Sequence, residues 1–282
     1  MIAITGANGQ LGRLVIQSLL QRVSADQLIA LVRTPEKAED LRELGIAVRE
    51  ADYDRPETLA PALVGADKLL LISGSEVGQR VPQHRAVIEA AREAGVKLLA
   101  YTSLLKADSS PLALAAEHKV TEQMIAESGI PAVMLRNGWY TENYTAQAPG
   151  LVELGMVAGA AAEGQLATAP RADYAEAAAV VLTSQESQAG KVYELAGSSA
   201  FTLTEFAEEL AKQSGRKVEF IPMSQEQFAG VLVGAGLPEG FAGALADAEA
   251  HAASGWLFDD SGDLERLIGR PSMPLSATLN LA

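Results

Sequence analysis

Thr5-Gly6-Ala7-Asn8-Gly9-Gln10-Leu11-Gly12 decides the fold of this 282-residue chain. A short apolar run, Ile2-Ala3-Ile4, precedes it, and an amphipathic segment carrying Leu11, Leu14, Val15 and Leu19 follows. The pattern predicts a strand, a tight turn and a helix, with glycines spaced Gly-x-x-Gly-x-x-Gly. A helix that starts at such a turn offers backbone N–H groups and the positive end of its dipole to an anion, and glycine keeps Cβ atoms out of the way. This is a variant of the dinucleotide-binding fingerprint, with one more residue between the first two glycines. Gly6, Ala7, Asn8, Gly9, Gln10 and Leu11 are therefore candidates to hold a pyrophosphate. A glycine turn that merely joins two elements is the competing reading.

The next strand candidate, Leu28-Ile29-Ala30-Leu31-Val32, ends at Arg33-Thr34-Pro35. NAD sites usually carry Asp or Glu at the end of this strand, to bind the ribose 2′-hydroxyl. Arg33 occupies that slot. A guanidinium attracts the 2′-phosphate of NADP, and no carboxylate is there to repel it. The expected cofactor is NADP; a surface arginine closing the strand is the alternative.

Composition sets the outer limits. A 48% hydrophobic content with 21% charged residues fits a globular protein with a sizeable core. The formal charge is −14, from 22 basic and 36 acidic residues, and no basic run stands out. That argues against nucleic-acid binding, which depends on clustered Lys and Arg. An anionic cofactor must be held by local donors against an unfavourable overall field. Cysteine is absent, which excludes disulfides, thiolate catalysis and Cys-based zinc sites. His84, His118 and His251 lack metal-ligand spacing, and Asp259, Asp260 and Asp263 lack the pattern of a calcium loop, so no metal site is expected. No apolar run reaches the length of a membrane span, and no leader precedes the first strand; a cytoplasmic location is the expectation.

Strands and helices alternate regularly through residue 135. Strands are expected at 46–49, 68–72, 97–101 and 132–135, and helices at about 10–20, 35–43, 56–63, 81–94 and 113–127. Lys68-Leu69-Leu70-Leu71-Ile72 is nearly continuously apolar, as a strand covered on both faces should be. Gly45, Gly65, Gly95 and Gly129 fall just after helices, where a left-handed cap favours glycine. The expected fold is α/β: a Rossmann-type doubly wound parallel sheet with a smaller helix-rich C-terminal lobe. Right-handed crossovers would bring strands one and four together beside the glycine turn. The expected division is 1–137 for the nucleotide-binding domain and 138–282 for a lobe covering the acceptor, with about 171–185 packing back on the first domain. Beyond 137, helices are expected at 173–184, 203–214 and through most of 224–253, and strands at 191–195 and 217–221.

The glycine turn, Ser73-Gly74-Ser75-Glu76-Val77-Gly78-Gln79-Arg80, Tyr101-Thr102-Ser103-Leu104-Leu105, Leu135-Arg136-Asn137-Gly138-Trp139-Tyr140 and Arg171-Ala172-Asp173-Tyr174 together resemble the NmrA-like group of atypical short-chain dehydrogenases/reductases. Within that group the chain is similar to bacterial NADPH:quinone oxidoreductases, with triphenylmethane-dye reductases nearby. The likeness extends to Leu267-Ile268-Gly269-Arg270 and so covers nearly the whole chain. It implies that Gly6 to Leu11 hold the pyrophosphate, Arg33 the 2′-phosphate, and that Asp52 approaches the adenine. It further implies that Ser73, Gly74 and Ser75 line the ribose and nicotinamide. Gly138, Trp139, Tyr140 and Asn143, with Tyr174, would shape the nicotinamide side and the acceptor pocket. From the residues alone, Asp52 could equally cap a helix, and Trp139 and Tyr140 could pack between lobes. The implied reaction is reduction of a quinone or similar planar small molecule by NADPH. A redox-sensing NADP(H)-binding regulator and a reductase of triphenylmethane or azo dyes are the alternatives. A homodimer is compatible with the group, although no surface stripe compels one.

Ordinary short-chain dehydrogenases use Tyr-x-x-x-Lys, and none of the six tyrosines has Lys four residues later. The helix where that pair would stand carries His118-Lys119-Val120-Thr121-Glu122 instead. His118 and Glu122 are one turn apart and could pair, giving either a catalytic histidine or an exposed ion pair. The missing relay bears on the acceptor. Reducing a ketone makes an alkoxide, whose parent acid resembles water at about 15.7, whereas reducing a quinone makes a phenolate-like anion with a parent acid near pKa ~10. The difference is at most roughly 8 kcal/mol, because charge in the transition state is only partial. Acceptors with delocalised charge can therefore dispense with the relay, and hydride would pass directly, without flavin. Asn143, Thr102, Ser103 and Lys106 are candidate donors to the developing oxyanion, and the sequence does not choose among them.

Overall fold

Leu28 to Val32 and Leu69 to Leu71 are buried without alternation, which requires a sheet covered on both faces. The computed structural model describes residues 1–281 and shows such a sheet. Its strands are β1 (Ile2–Ile4), β2 (Leu28–Val32), β3 (Ala47–Glu50), β4 (Lys68–Leu71), β5 (Leu98–Leu104), β6 (Ala132–Asn137) and β8 (Val192–Leu195), with β7 lying elsewhere. Their order is β3-β2-β1-β4-β5-β6-β8. β1 pairs in parallel with β2 and β4, in register Ile2↔Leu28 and Ile2↔Lys68. The chain thus reverses direction of growth beside β1, and the turn after β1 opens at the place where α/β sheets bind ligands.

Two compact units divide the chain. The first contains Met1–Leu104, Glu117–Arg136 and Tyr174–Tyr193; the second contains Leu105–Ala116, Asn137–Asp173 and Glu194–Ala282. In the first unit, one core side joins Ala3, Ile29, Leu31, Leu69, Leu71, Leu99 and Tyr101 to Val87, Ile88 and Ala91 of helix α4 (Arg80–Glu93). Helix α5 (Ala115–Ser128) adds Met124 and Ile125. Each such Leu or Ile contributes about 1.5–3 kcal/mol by leaving water. Helix α1 (Gln10–Leu20) buries Leu11, Val15, Ile16 and Leu19; of the expected stripe, Leu14 is only half-buried and Ile16 lies inside instead. Helices α2 (Glu39–Glu43) and α3 (Leu59–Ala62) are shorter than expected. Each follows a turn of 3₁₀ helix started by a proline, Pro35 or Pro56, whose fixed φ suits the first turn. β5 and β6 run three and two residues beyond the expected ends, through Thr102, Ser103, Arg136 and Asn137. These polar residues are buried rather than solvated, Ser103 and Arg136 against Glu122, which concealed the strand.

The second unit carries α6 (Glu142–Thr145), α7 (Ala148–Leu154), β7 (Met156–Gly159), α9 (Leu203–Ser214), β9 (Glu219–Pro222), α10 (Gln225–Gly234), α11 (Glu239–Ala252), α12 (Asp263–Ile268) and α13 (Leu275–Thr278). Helix α8 (Arg171–Thr183) begins in this unit and continues in the first. β7 and β9 form a parallel two-stranded sheet, Met156↔Glu219 to Gly159↔Pro222. β7 was too short to show a strand period. α9 and α10 start at capping boxes, Thr202 with Glu205 and Ser224 with Gln227, each of which satisfies two otherwise unpaired N–H groups. The helical stretch expected over 224–253 is broken between α10 and α11 by Gly236, at φ +93°, and Pro238. Tyr144, Phe201 and Phe206 pack with ring centroids 5.8–6.1 Å apart. Among the described residues, no helix is long and apolar enough to cross a membrane.

Candidate functional site

The first unit holds a groove of about 480 Å³ where the glycine turn, the end of β2 and the loop after β4 meet. Gly6, at φ +56°, lets the chain leave β1 and turn sharply, and the Gly9 N–H donates to Gly6 O at 2.9 Å. A Cβ on Gly12 would lie 2.3 Å from Gly6 O and 2.8 Å from Ala7 Cα, so the helix can approach the turn only with glycine there. Gly9 caps α1 without a side-chain oxygen. The first-turn N–H groups of Gln10, Leu11 and Gly12, residues that line the groove, are thus left for an anion.

Of the turn residues expected at the site, Gly6, Asn8, Gly9, Gln10 and Leu11 line the groove. Ala7 is buried behind them, its N–H donating to Leu31 O at 3.2 Å. Arg13 links the turn to α2 by donating to both Asn8 Oδ1 and Asp40. Arg33 lines the far end, is largely exposed, and lies 3.4 Å from Glu76 Oε1. Thr34 and Lys37 stand beside it. Lys37 is a second cation that sequence reading missed. Its signal was only its position in the Pro35–Ala38 turn, directly after the strand whose end selects the ribose substituent. Asp52 does not line the groove, although its neighbours Ala51 and Tyr53 do. Its carboxylate accepts the Asp54 N–H at 3.2 Å.

Ser73, Gly74 and Ser75 line the groove too, and side chains from β5 and α4 hold their backbone. The Ser73 N–H donates to Thr102 Oγ1 at 2.9 Å, the Gly74 N–H to His84 Nε2 at 3.0 Å, and Arg80 Nε donates to Gly74 O at 2.6 Å. Because His84 Nε2 accepts, its proton sits on Nδ1, which donates to Thr121 Oγ1 at 3.0 Å; Thr121 in turn donates to Glu117 O. His84 is buried and neutral: desolvation first, then the charge of Arg80, bring its pKa down to about 4. Behind it, the Tyr53 hydroxyl lies 2.6 Å from Thr5 Oγ1 and 2.9 Å from Ile72 O, and burial raises its pKa.

Three candidate residues, His118, Ser103 and Lys106, do not line the groove. His118 does not pair with Glu122 and is not exposed. It is buried, its Nδ1 is 2.8 Å from the Tyr101 hydroxyl, and burial, then Arg80 and His84, lower its pKa to about 3. Glu122 instead receives hydrogen bonds from Arg136, at 2.7 and 2.9 Å, and from Ser103 Oγ at 2.6 Å. Ser103 is thereby committed as a donor. Lys106, in the second unit at φ 55°, donates its Nζ to Phe258 O at 2.6 Å and lies 3.9 Å from Asp259. It lines neither the groove nor the pocket described next.

The second unit contains its own pocket of about 200 Å³. Trp139, Asn143, Leu203, Phe206, Phe228 and Leu232 form much of its wall, and Tyr144 and Glu249 are its buried polar groups. Of the expected residues, Trp139 and Asn143 are here. Gly138 lies just before them, its N–H donating to Leu195 O at 2.7 Å, and Tyr140 stacks under the Arg171 guanidinium at 4.4 Å. Tyr174 is buried in the first unit and lines neither cavity. Glu249 was not anticipated. Its signal was a lone carboxylate on the Ala242-Ala246-Glu249 face of an alanine-rich helix, at the spacing of a buried stripe.

The groove fits a phosphorylated dinucleotide: a cradle that a Cβ would fill, an uncapped helix start, and two cations where β2 ends. Residues 6–185 match the NAD(P)H-binding family. The chain belongs to the NAD(P)H-binding family. This NAD(P)H-binding protein is 56% identical over 280 residues to quinone oxidoreductase 2 of Escherichia coli, covering 99% of this chain and 98% of that one. It superposes on the crystal structure of the NADPH-dependent quinone oxidoreductase from Escherichia coli complexed with NADPH, with a TM-score of 0.95, 57% identity and coverage of 98% and 97%. The triphenylmethane reductase of Citrobacter sp., complexed with NADP(H), matches with a TM-score of 0.94, 41% identity and 99% coverage of both chains.

Proposed function

We propose that the protein reduces quinones with NADPH, by direct hydride transfer and without flavin. The observation that carries this reading is the 56% identity, over nearly the full length of both chains, to quinone oxidoreductase 2 of Escherichia coli. The groove supports it independently. Gln10, Leu11 and Gly12 present N–H groups to the pyrophosphate, and Arg33 with Lys37 holds the 2′-phosphate. The bound nicotinamide supplies the hydride. Ser73 to Ser75 position it, and the chain Gly74–His84–Thr121–Glu117, with Arg80 on Gly74 O, keeps their backbone rigid. The second unit's pocket takes the acceptor: Trp139, Phe206 and Phe228 offer planar apolar contact that excludes water, and Asn143 supplies a polar group.

Arg33→Ala tests the cofactor assignment. Loss of a charge-assisted contact to phosphate should weaken NADPH binding about 10- to 100-fold and NADH binding less than about twofold. Calorimetric titration of both cofactors measures this. Equal loss for the two would remove Arg33 from the 2′-phosphate site.

A further inference from the structure

Glu249 is only 6% exposed, in a unit whose surface has ample room for carboxylates. Its Oε2 accepts the Ala160 N–H at 2.8 Å, and among the described residues no cation pairs with it. The fold makes space for it: a Cβ on Gly159 would lie 2.7 Å from Oε2. Beside it the Tyr144 hydroxyl is fully buried and has no partner in hydrogen-bond geometry. Both residues line the apolar pocket, and a buried polar atom without a partner, as Tyr144 Oη is, normally marks a ligand or a functional role.

We propose that Glu249, assisted by Tyr144, is the acid that binds and protonates the quinone oxygen distant from the site of hydride attack. The assignment rests on the acceptor occupying this pocket. Hydride delivered to one oxygen of a 1,4-quinone leaves the negative charge on the opposite oxygen. The Glu249 O–H bond breaks with its electron pair staying on the carboxylate, a new O–H bond forms on that oxygen, and solvent later returns the proton to Glu249. One quinone, one hydride from the nicotinamide and one proton give the hydroquinone.

The surroundings keep the proton in place. Burial raises the Glu249 pKa to about 7, against the Ala160 N–H and Tyr144, which favour the carboxylate. The neighbouring elements bring no compensating charge. Leu203 on α9 and Phe228 and Leu232 on α10 line the pocket with it, while the charged residues Glu205, Glu208, Glu209 and Lys212 of α9 line a different cavity. Glu226 on α10 and Glu153 on α7 are exposed, and Glu142 on α6 pairs with Arg171 at 3.5 Å. On its own helix, Asp247 and His251 pair with each other at 3.4 Å, and Glu239 is exposed at the helix start.

The experiment follows kcat for a simple 1,4-naphthoquinone from pH 5 to 9 at saturating NADPH, in wild type, Glu249→Gln and Tyr144→Phe. Wild-type kcat should fall as pH rises through about 7. Glu249→Gln keeps an acceptor for the Ala160 N–H but has no proton to give. It should be roughly 10-fold slower at pH 6, lack the inflection, and converge with wild type by pH 9. Tyr144→Phe keeps the ring that packs on Phe201 and Phe206, so the fold is retained, and KM should rise about 3- to 10-fold. A Glu249→Gln deficit that is the same at every pH, or no deficit, overturns the assignment while leaving the quinone reductase reading intact. A folded, NADPH-binding wild type that reduces no quinone overturns both.

Discussion

The groove of the first unit and the pocket of the second solve opposite problems with opposite materials. The groove fits a highly charged ligand, and the histidines and tyrosine buried behind it are neutral and internally partnered, His84 with Gly74 and Thr121, His118 with Tyr101, Tyr53 with Thr5, while the buried Arg80 holds Gly74 O. Its attraction comes from backbone N–H groups and from exposed Arg33 and Lys37, which lose little by facing water. The pocket has apolar walls, yet it holds Tyr144 Oη, a buried polar atom without a hydrogen-bond partner, beside the buried Glu249 carboxylate. A site that only binds can be fully satisfied in advance. A site that exchanges a proton must keep a group whose partner arrives with the substrate.

Steric change should separate the two most sharply. A Cβ on Gly12 meets backbone, Gly6 O at 2.3 Å, which cannot step aside. Gly12→Ala should cost about 1–3 kcal/mol of stability and weaken NADPH at least 100-fold, on the order of 3 kcal/mol. A Cβ on Gly159 meets the ends of Leu203 and Glu249 side chains, which can rotate. Gly159→Ala should leave NADPH affinity within about twofold and lower quinone kcat about 10-fold. Calorimetry and steady-state kinetics on the two variants read this directly. A loss of cofactor affinity in Gly159→Ala would mean that the two sites are not separable.

Protonation comes next. His84 has its folded pKa lowered, from 6.5 to about 4, so the stability of its neutral form is complete above pH 6.5 and is lost as pH falls toward 4. His118 acts in the same sense, down to about 3. Glu249 has its folded pKa raised, from 4.5 to about 7, so its contribution is complete below pH 4.5 and is lost as pH rises through 7. His84 and Glu249 each amount to something on the order of 3 kcal/mol, with opposite slopes in nearly the same window. They partly cancel in the wild type. Urea unfolding of Glu249→Gln should therefore show steeper acid loss between pH 6.5 and 4, and a growing advantage over wild type from pH 4.5 to 7. His84→Gln keeps an acceptor for the Gly74 N–H and should lessen the acid loss. Parallel curves for wild type and both variants would show that these groups ionise as they do in the unfolded chain.

What the sequence disclosed follows the same division. The glycine turn, the strand that ends at Arg33 and the order of β1 and β4 were legible because each is local or follows from chain handedness. Lys37 was obscured because a 3₁₀ turn has no strong period to mark which residues share a face. His118 was misjudged for a non-local reason. Its helical neighbour Glu122 was visible in sequence, but Tyr101 and Arg136, which claim the two residues, arrive from β5 and β6. Glu249 stood on an apolar helical stripe. Only the fold brings Gly159, Ala160 and Tyr144 to it.

The smallest effect lies at the exposed end of the groove. Glu76 Oε1 is 3.4 Å from Arg33, Oε2 accepts from Gln83 Nε2 at 3.1 Å, and Arg33 and Glu76 are 68% and 45% exposed. An ion pair so solvated is worth about 0–1 kcal/mol. It nevertheless competes with the 2′-phosphate for the same guanidinium and places a negative charge beside it. Glu76→Gln keeps an acceptor for Gln83 and removes that charge, so NADPH should bind about 2- to 5-fold tighter at low salt, with NADH nearly unaffected. Because the groups are exposed, the gain should shrink as ionic strength approaches about 1 M, where screening acts within about 3 Å. Titrations of both cofactors at low and high salt decide it. A gain shared equally by NADH would show that Glu76 repels the pyrophosphate rather than occupying Arg33, and the groove's selectivity would then rest on Arg33 and Lys37 without a competing carboxylate.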